Sequence, residues 1–179
     1  GDAVALMARN HRGFVEATVA AAKIGADLIY LNTAFAGPQL VDVLERLHAQ
    51  RVFHDDLQPT KVLYDAVAGR VALVDFGEAV LQSHLEPDVA PAGVAGRALP
   101  FGAPEQTGRM GRAIDYRVDL HALGALLYWA LAGRPPHAET EPLALMQALL
   151  TRTPPPLTML NPAVGASLAA VVQKLLAKS

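Results

Sequence analysis

The sequence contains no cysteine, which excludes a disulfide framework, a thiolate nucleophile and any zinc site built on thiolates. Charge is sparse as well. Only 18% of the 179 residues are charged and the formal net charge is -2, so neither a nucleic-acid surface nor contact with an anionic membrane is expected. No apolar run reaches the roughly 18 residues that a membrane-spanning helix needs, and the longest, Ala122 to Gly133, reads as a buried helix. The six histidines show no His-x-x-x-His or related spacing, so a zinc site is not expected. The chain opens Gly1-Asp2 with neither Met nor a basic stretch; no secretory signal is expected, and the start reads as the inside of a longer protein. Against these absences, 52% of the residues are hydrophobic, ample for a packed core. The expected localisation is cytoplasmic.

The first 48 residues read as strand, helix, strand, helix. Val4 to Met7 and Leu28 to Leu31 are short apolar runs; His11 to Ile24 and Pro38 to His48 carry apolar residues at the helical period. That order predicts a parallel strand pair with a right-handed crossover. From Arg51 the texture changes. Val52-Phe53 leads into a polar loop from His54 to Lys61, and Val62-Leu63-Tyr64 and Val71 to Val74 flank a turn at Gly69, predicting a hairpin. The stretch from Ser83 to Gly111 is too long for an ordinary connection and is expected to be functional. Helices are then predicted over Asp119 to Ala132, Pro142 to Thr151 and Ser167 to Ala177.

Chemistry concentrates between Leu47 and Glu105. Asp56 lies in His54-Asp55-Asp56-Leu57-Gln58-Pro59-Thr60-Lys61, and Asp75 opens Asp75-Phe76-Gly77 directly after a strand. Two carboxylates on strand ends joined by a hairpin can face one small site. One can accept a proton from a hydroxyl nucleophile, and the other can hold Mg²⁺ against phosphate oxygens.

From about Val43 onward these residues resemble the C-terminal lobe of a serine/threonine protein kinase. His54 to Lys61 is similar to the catalytic loop, Asp75-Phe76-Gly77 to the magnesium motif, and Ala103-Pro104-Glu105 to the end of the activation segment. Leu99 to Met110 is similar to bacterial kinases fused to large ATPase and sensor histidine-kinase regions. The resemblance implies ATP and Mg²⁺ as cofactors and a protein substrate or partner domain. It implies Asp56 as catalytic base, Asp75 as the Mg²⁺ chelator with Phe76 and Gly77 beside it, and Gly96 to Phe101 as substrate platform. Asp119 is expected to hold the loop through its backbone, and Glu105 to serve structurally, with an arginine partner beyond Ser179.

Departures from the family pattern fall at the same site. Lys61 stands where the second Mg²⁺ ligand, Asn, is usual, and an ammonium cannot coordinate a cation; Lys61 is expected to be solvated, with phosphate contact the alternative. Gln58 replaces a lysine and Asp55 an arginine. No Gly-rich loop and no Val-Ala-Ile-Lys motif occurs in the 179 residues. Residues 1–46, with Gly1 to Asn10 and Gly25 to Asn32, instead resemble the early part of an acyl-CoA synthetase of the adenylate-forming family.

The expected fold class is therefore α+β, mainly α: an adenylate-forming-like βαβα segment over 1–46 in place of the N-lobe, then a kinase-like C-lobe over 47–179. The expected function is a serine/threonine kinase catalytic region, inactive as this chain alone, with self-association through an uncovered lobe interface. The alternatives are a degenerate, non-catalytic interaction module (a pseudokinase in a chimeric chain) and, more distantly, an AMP-forming ligase fragment.

Overall fold

The computed structural model describes residues 3–6, 27–30, 36–65, 70–81, 99–110 and 114–178. Two strands, β1 (Ala3–Leu6) and β2 (Asp27–Tyr30), pair in parallel with Ala3 opposite Asp27 and Leu6 opposite Tyr30. The pairing is the one predicted, each strand beginning one residue before its apolar run. The helix predicted from His11 to Ile24 lies outside the described residues.

Helix α1 (Ala36–Ala49) carries Pro38 in its first turn, where the missing N–H costs no hydrogen bond. Leu40 and Leu44 turn inward and are buried, with Val43 packed beside them. The helix runs unbroken across position 46, and the segments divided there share one core. Leu40 and Leu44 pack with Leu57, Val62, Leu73, Ala122, Leu123 and Leu126. Each such leucine contributes about 1.5–3 kcal/mol on burial, so α1 is anchored directly beneath the loop that carries Asp56.

Strand β3 (Val52–Phe53) follows a left-handed residue, Arg51 (φ 57°). Strands β4 (Val62–Asp65) and β5 (Arg70–Leu73) form the predicted antiparallel hairpin, with Val62 opposite Leu73. Strand β6 (Val80–Leu81) pairs antiparallel with β3. That contact was not predicted, because two-residue strands carry no periodicity to read.

Four helices complete the described chain: α2 (Arg117–Ala132), α3 (Pro142–Thr151), α4 (Leu157–Leu160) and α5 (Ala166–Leu175). Helix α2 is apolar on nearly every side, so it sits at the centre. It ends at Gly133, whose φ of 73° lets its N–H reach Trp129 O at 2.8 Å. Tyr128 is fully buried and donates its hydroxyl to Pro155 O, which ties the proline tract to this helix. Helix α5 packs against Gly124 of α2. Among the described residues helix dominates and the strands are short, as expected for α+β, mainly α. No helix among them is long and apolar enough to cross a membrane.

Candidate active site

Asp56 follows β3 in a loop whose backbone is buried and strained. Asp55 adopts φ 61°, a left-handed conformation that costs a non-glycine residue about 1–2 kcal/mol. Three side chains hold it there. Asp119, in the first turn of α2 and fully buried, accepts the N–H groups of His54 at 2.8 Å and Asp55 at 3.0 Å. The same carboxylate accepts His48 Nε2 at 2.9 Å; a carboxylate only accepts, so Nε2 carries the proton. Gln106 Nε2 donates to Asp55 O at 2.6 Å and to Asp55 Oδ1 at 2.8 Å, while its Oε1 accepts the N–H of Ala103. One amide thus ties the loop to the Ala103-Pro104-Glu105 segment.

The two carboxylates singled out in the sequence meet. Lys61, at the end of the Pro59–Lys61 3₁₀ turn, places its ammonium against Asp56 Oδ2 and 2.9 Å from Asp75 Oδ2. Gln58 Nε2 donates to the same Asp56 oxygen at 3.2 Å. Asp75 is itself left-handed (φ 61°) and turns Oδ1 toward the Gly77 N–H. Burial by itself would lower the Lys61 pKa, but the hydrogen bonds to Asp56 and Asp75 outweigh it and carry the ammonium above its ordinary value. The hydrogen bond from Lys61, with help from the Gly77 amide, holds the Asp75 carboxyl below the usual range.

The expectation that Lys61 is solvated is therefore wrong. Its side chain is only 11% exposed, because two carboxylates compensate the charge and make burial tolerable.

Phe76 is 44% exposed with its ring 4.9 Å from that of His54; His54 Nε2 bonds Val74 O at 3.1 Å. Of the predicted platform Gly96 to Phe101, the structure describes 99–101, a 3₁₀ turn. Phe101 and Gly102 line a recess beside Asp56 of about 10 Å³, room for no more than one water. Glu105 is half-buried and acts through space on Arg117, whose guanidinium is held charged mainly by Asp115.

The protein kinase domain family model matches residues 27–178. This chain belongs to the protein kinase family. It is 33% identical over 168 residues to the serine/threonine-protein kinase Pkn1 of Myxococcus xanthus, covering 92% of this chain and 24% of that protein. It is 36% identical over 136 residues to the DNA damage-responsive serine/threonine-protein kinase RqkA of Deinococcus radiodurans, covering 75% and 20%. With the serine/threonine-protein kinase PknB of Mycobacterium tuberculosis it shares 29% over 132 residues, 74% and 21%. The chain thus spans about a fifth to a quarter of the length of these curated relatives. The kinase match takes in residues 27–46, which the synthetase resemblance had grouped apart.

Protein kinases generally use ATP and Mg²⁺. The donor set here does not fit a divalent ion held between Asp56 and Asp75, because an ammonium already lies there and has no lone pair to offer. Among the described residues no group of three or more His, Asp or Glu side chains is gathered as a metal would require.

Sequence reasoning missed His48 and Gln106 as positioning residues. His48 closes the helix predicted from Pro38 and Gln106 lies within Leu99 to Met110, but neither stretch says what its side chain touches. A long-range hydrogen bond leaves no periodic trace in the chain.

Proposed function

We propose that this chain is the C-terminal lobe of a serine/threonine protein kinase. In this reading Asp56 is placed to receive the proton of a protein hydroxyl as that oxygen takes the γ-phosphoryl of ATP. As the chain stands it transfers little or no phosphate. The observation that carries the second half is the Lys61 bridge. Asp56 Oδ2 already accepts both Lys61 and Gln58, so a hydroxyl proton bound for that oxygen must displace a donor. Catalysis of phosphoryl transfer is mostly positioning and charge stabilisation, and the bridge diverts both carboxylates from that work. Asp119 and Glu105 are structural here, and Phe76 and Gly77 support Asp75. Residues 1–46 lend the start and most of α1 to the lobe and bring no ligase chemistry of their own.

The same bridge favours a second reading, a non-catalytic module that binds a protein partner. Leu63, Phe76 and Leu81 are 38%, 44% and 38% exposed, and exposed apolar side chains suit a partner or a second copy. The discriminating experiment is transfer of labelled γ-phosphate from ATP to a generic basic protein, beside an Asp56→Ala control. Transfer no greater than that control supports an inactive lobe. Transfer that Asp56→Ala abolishes supports the kinase role of Asp56 and removes the non-catalytic reading. A thermal shift with Mg-ATP that Asp75→Ala erases supports nucleotide binding at Asp75.

A further inference from the structure

We infer that Lys61 is a resident cation: its ammonium fills the position between Asp56 and Asp75 that a divalent metal would need, and the pair takes up a divalent ion only when that ammonium is removed. This takes from the preceding section only that the two carboxylates form one site. It needs nothing about phosphotransfer.

The backbone fixes the lysine from both sides. Lys61 N–H donates to Gln58 O at 2.9 Å, and Lys61 O accepts Val74 N–H at 3.0 Å, one residue before Asp75. Pro59 opens the turn with its φ already set. The side chain therefore leaves a pinned Cα and runs inward between the carboxylates rather than sweeping through solvent. Asp56 Oδ2 and Asp75 Oδ2 both aim at Nζ, as two oxygen ligands would aim at one ion.

Charge then decides what else can enter. Two carboxylates and one ammonium leave a single negative charge, against two without the lysine. A divalent ion reaching for the same oxygens would lie within a few ångströms of a fixed positive charge. Lys61 and Asp56 are each 8% exposed, whereas the Asp75 side chain is 60% exposed, so the repulsion is screened least where the ion would reach Asp56. An asparagine in place of Lys61 would reverse both effects. It removes the charge and supplies a carbonyl oxygen, making three hard oxygen donors of the kind that Mg²⁺ and Mn²⁺ prefer.

The test is a titration with Mn²⁺ alone, followed by the paramagnetic signal of the free ion, on the native chain, Lys61→Asn and Lys61→Asn/Asp75→Ala. The native chain is expected to show no saturable binding below millimolar Mn²⁺. Lys61→Asn should bind at least about tenfold more tightly, and Asp75→Ala in that background should abolish the gain. Equal affinity of native and Lys61→Asn, whether tight or absent, overturns the inference. So does a gain that survives Asp75→Ala. Should Lys61→Asn fail to fold, the native chain decides. Mn²⁺ binding that native protein shows and Asp75→Ala loses overturns the inference. No such binding, with Lys61 protected from amine acetylation unless Asp75 is replaced, upholds it. No ATP enters the titration, so a failed kinase reading leaves this result untouched.

Discussion

Lowering the pH from 7 to 5 should destabilise this protein through one buried histidine. His121 lies on α2, 9% exposed, and its Nδ1 is buried without a hydrogen-bond partner. Burial pushes its pKa down to about 4, and the positive charges of His137 and Lys178 push the same way. Unfolded, the imidazole titrates at its ordinary 6.5. Between those values the unfolded chain binds a proton that the folded chain refuses, so stability is full above pH 6.5 and is lost as pH falls toward 4. The gap corresponds to about 3 kcal/mol in all, and to about 2 kcal/mol by pH 5. His137 adds to the loss, since burial first and Lys178 second lower its pKa too. Asp75 and Asp115 have lowered carboxyl values, so what they contribute is lost only under more acid conditions. Against a typical total of about 5–15 kcal/mol, a loss of this size is easily resolved. Urea unfolding followed by circular dichroism at pH 7.5, 6.5, 5.5 and 5.0 measures it, with His121→Phe as comparison. The variant should lose most of the pH slope. A native stability flat from pH 7 to 5, or an equal slope in the variant, would refute the assignment.

Gly124→Ala should destabilise the protein by about 1–3 kcal/mol in the same urea assay, because its Cβ would stand 2.7 Å from Leu175 Cβ across the α2–α5 contact. Gln106→Ala removes three buried hydrogen bonds, two to Asp55 and one from the Ala103 N–H, and should cost about 2–4 kcal/mol; a change below 0.5 kcal/mol would mean that water replaces the amide. Hydrogen exchange at the His54 and Asp55 amides should quicken by about 10- to 100-fold in Asp119→Ala, since hydrogen bonds to a carboxylate are worth about 1.5–3 kcal/mol each. The same amides should stay protected in Lys61→Asn, and loss of protection there would show that loop backbone and charge site are one unit.

The parts of this fold that periodicity controls were legible. Helix α3 begins at Pro142 and ends at Thr151 as read, and α2 ends before Gly133 because only a residue at ease with φ 73° continues the chain there. The β4–β5 hairpin followed from two apolar runs around a turn. Helix α4 and the β3–β6 pair were not legible, since four and two residues are too few for a period to show. At the site, the motif order brought Asp56 and Asp75 together on paper, but not the fate of Lys61. Lysine is ordinarily a surface residue, and only the three-dimensional meeting of two carboxylates around its ammonium reverses that preference.

That reversal separates two systems that share one loop. His48, Asp119 and Gln106 act on the backbone of His54 and Asp55 and on the Asp55 side chain; they sustain a left-handed turn that would otherwise relax. Lys61 acts on the side chains of Asp56 and Asp75, downstream of that turn. The first system is neutral in purpose: it holds Asp56 in place whatever Asp56 then does. The second sets what the carboxylates can receive, a proton, a metal ion or nothing beyond the ammonium they already hold. A chain can therefore keep the loop architecture of a kinase while a single residue, five positions after Asp56, places an ammonium against Asp56 and Asp75.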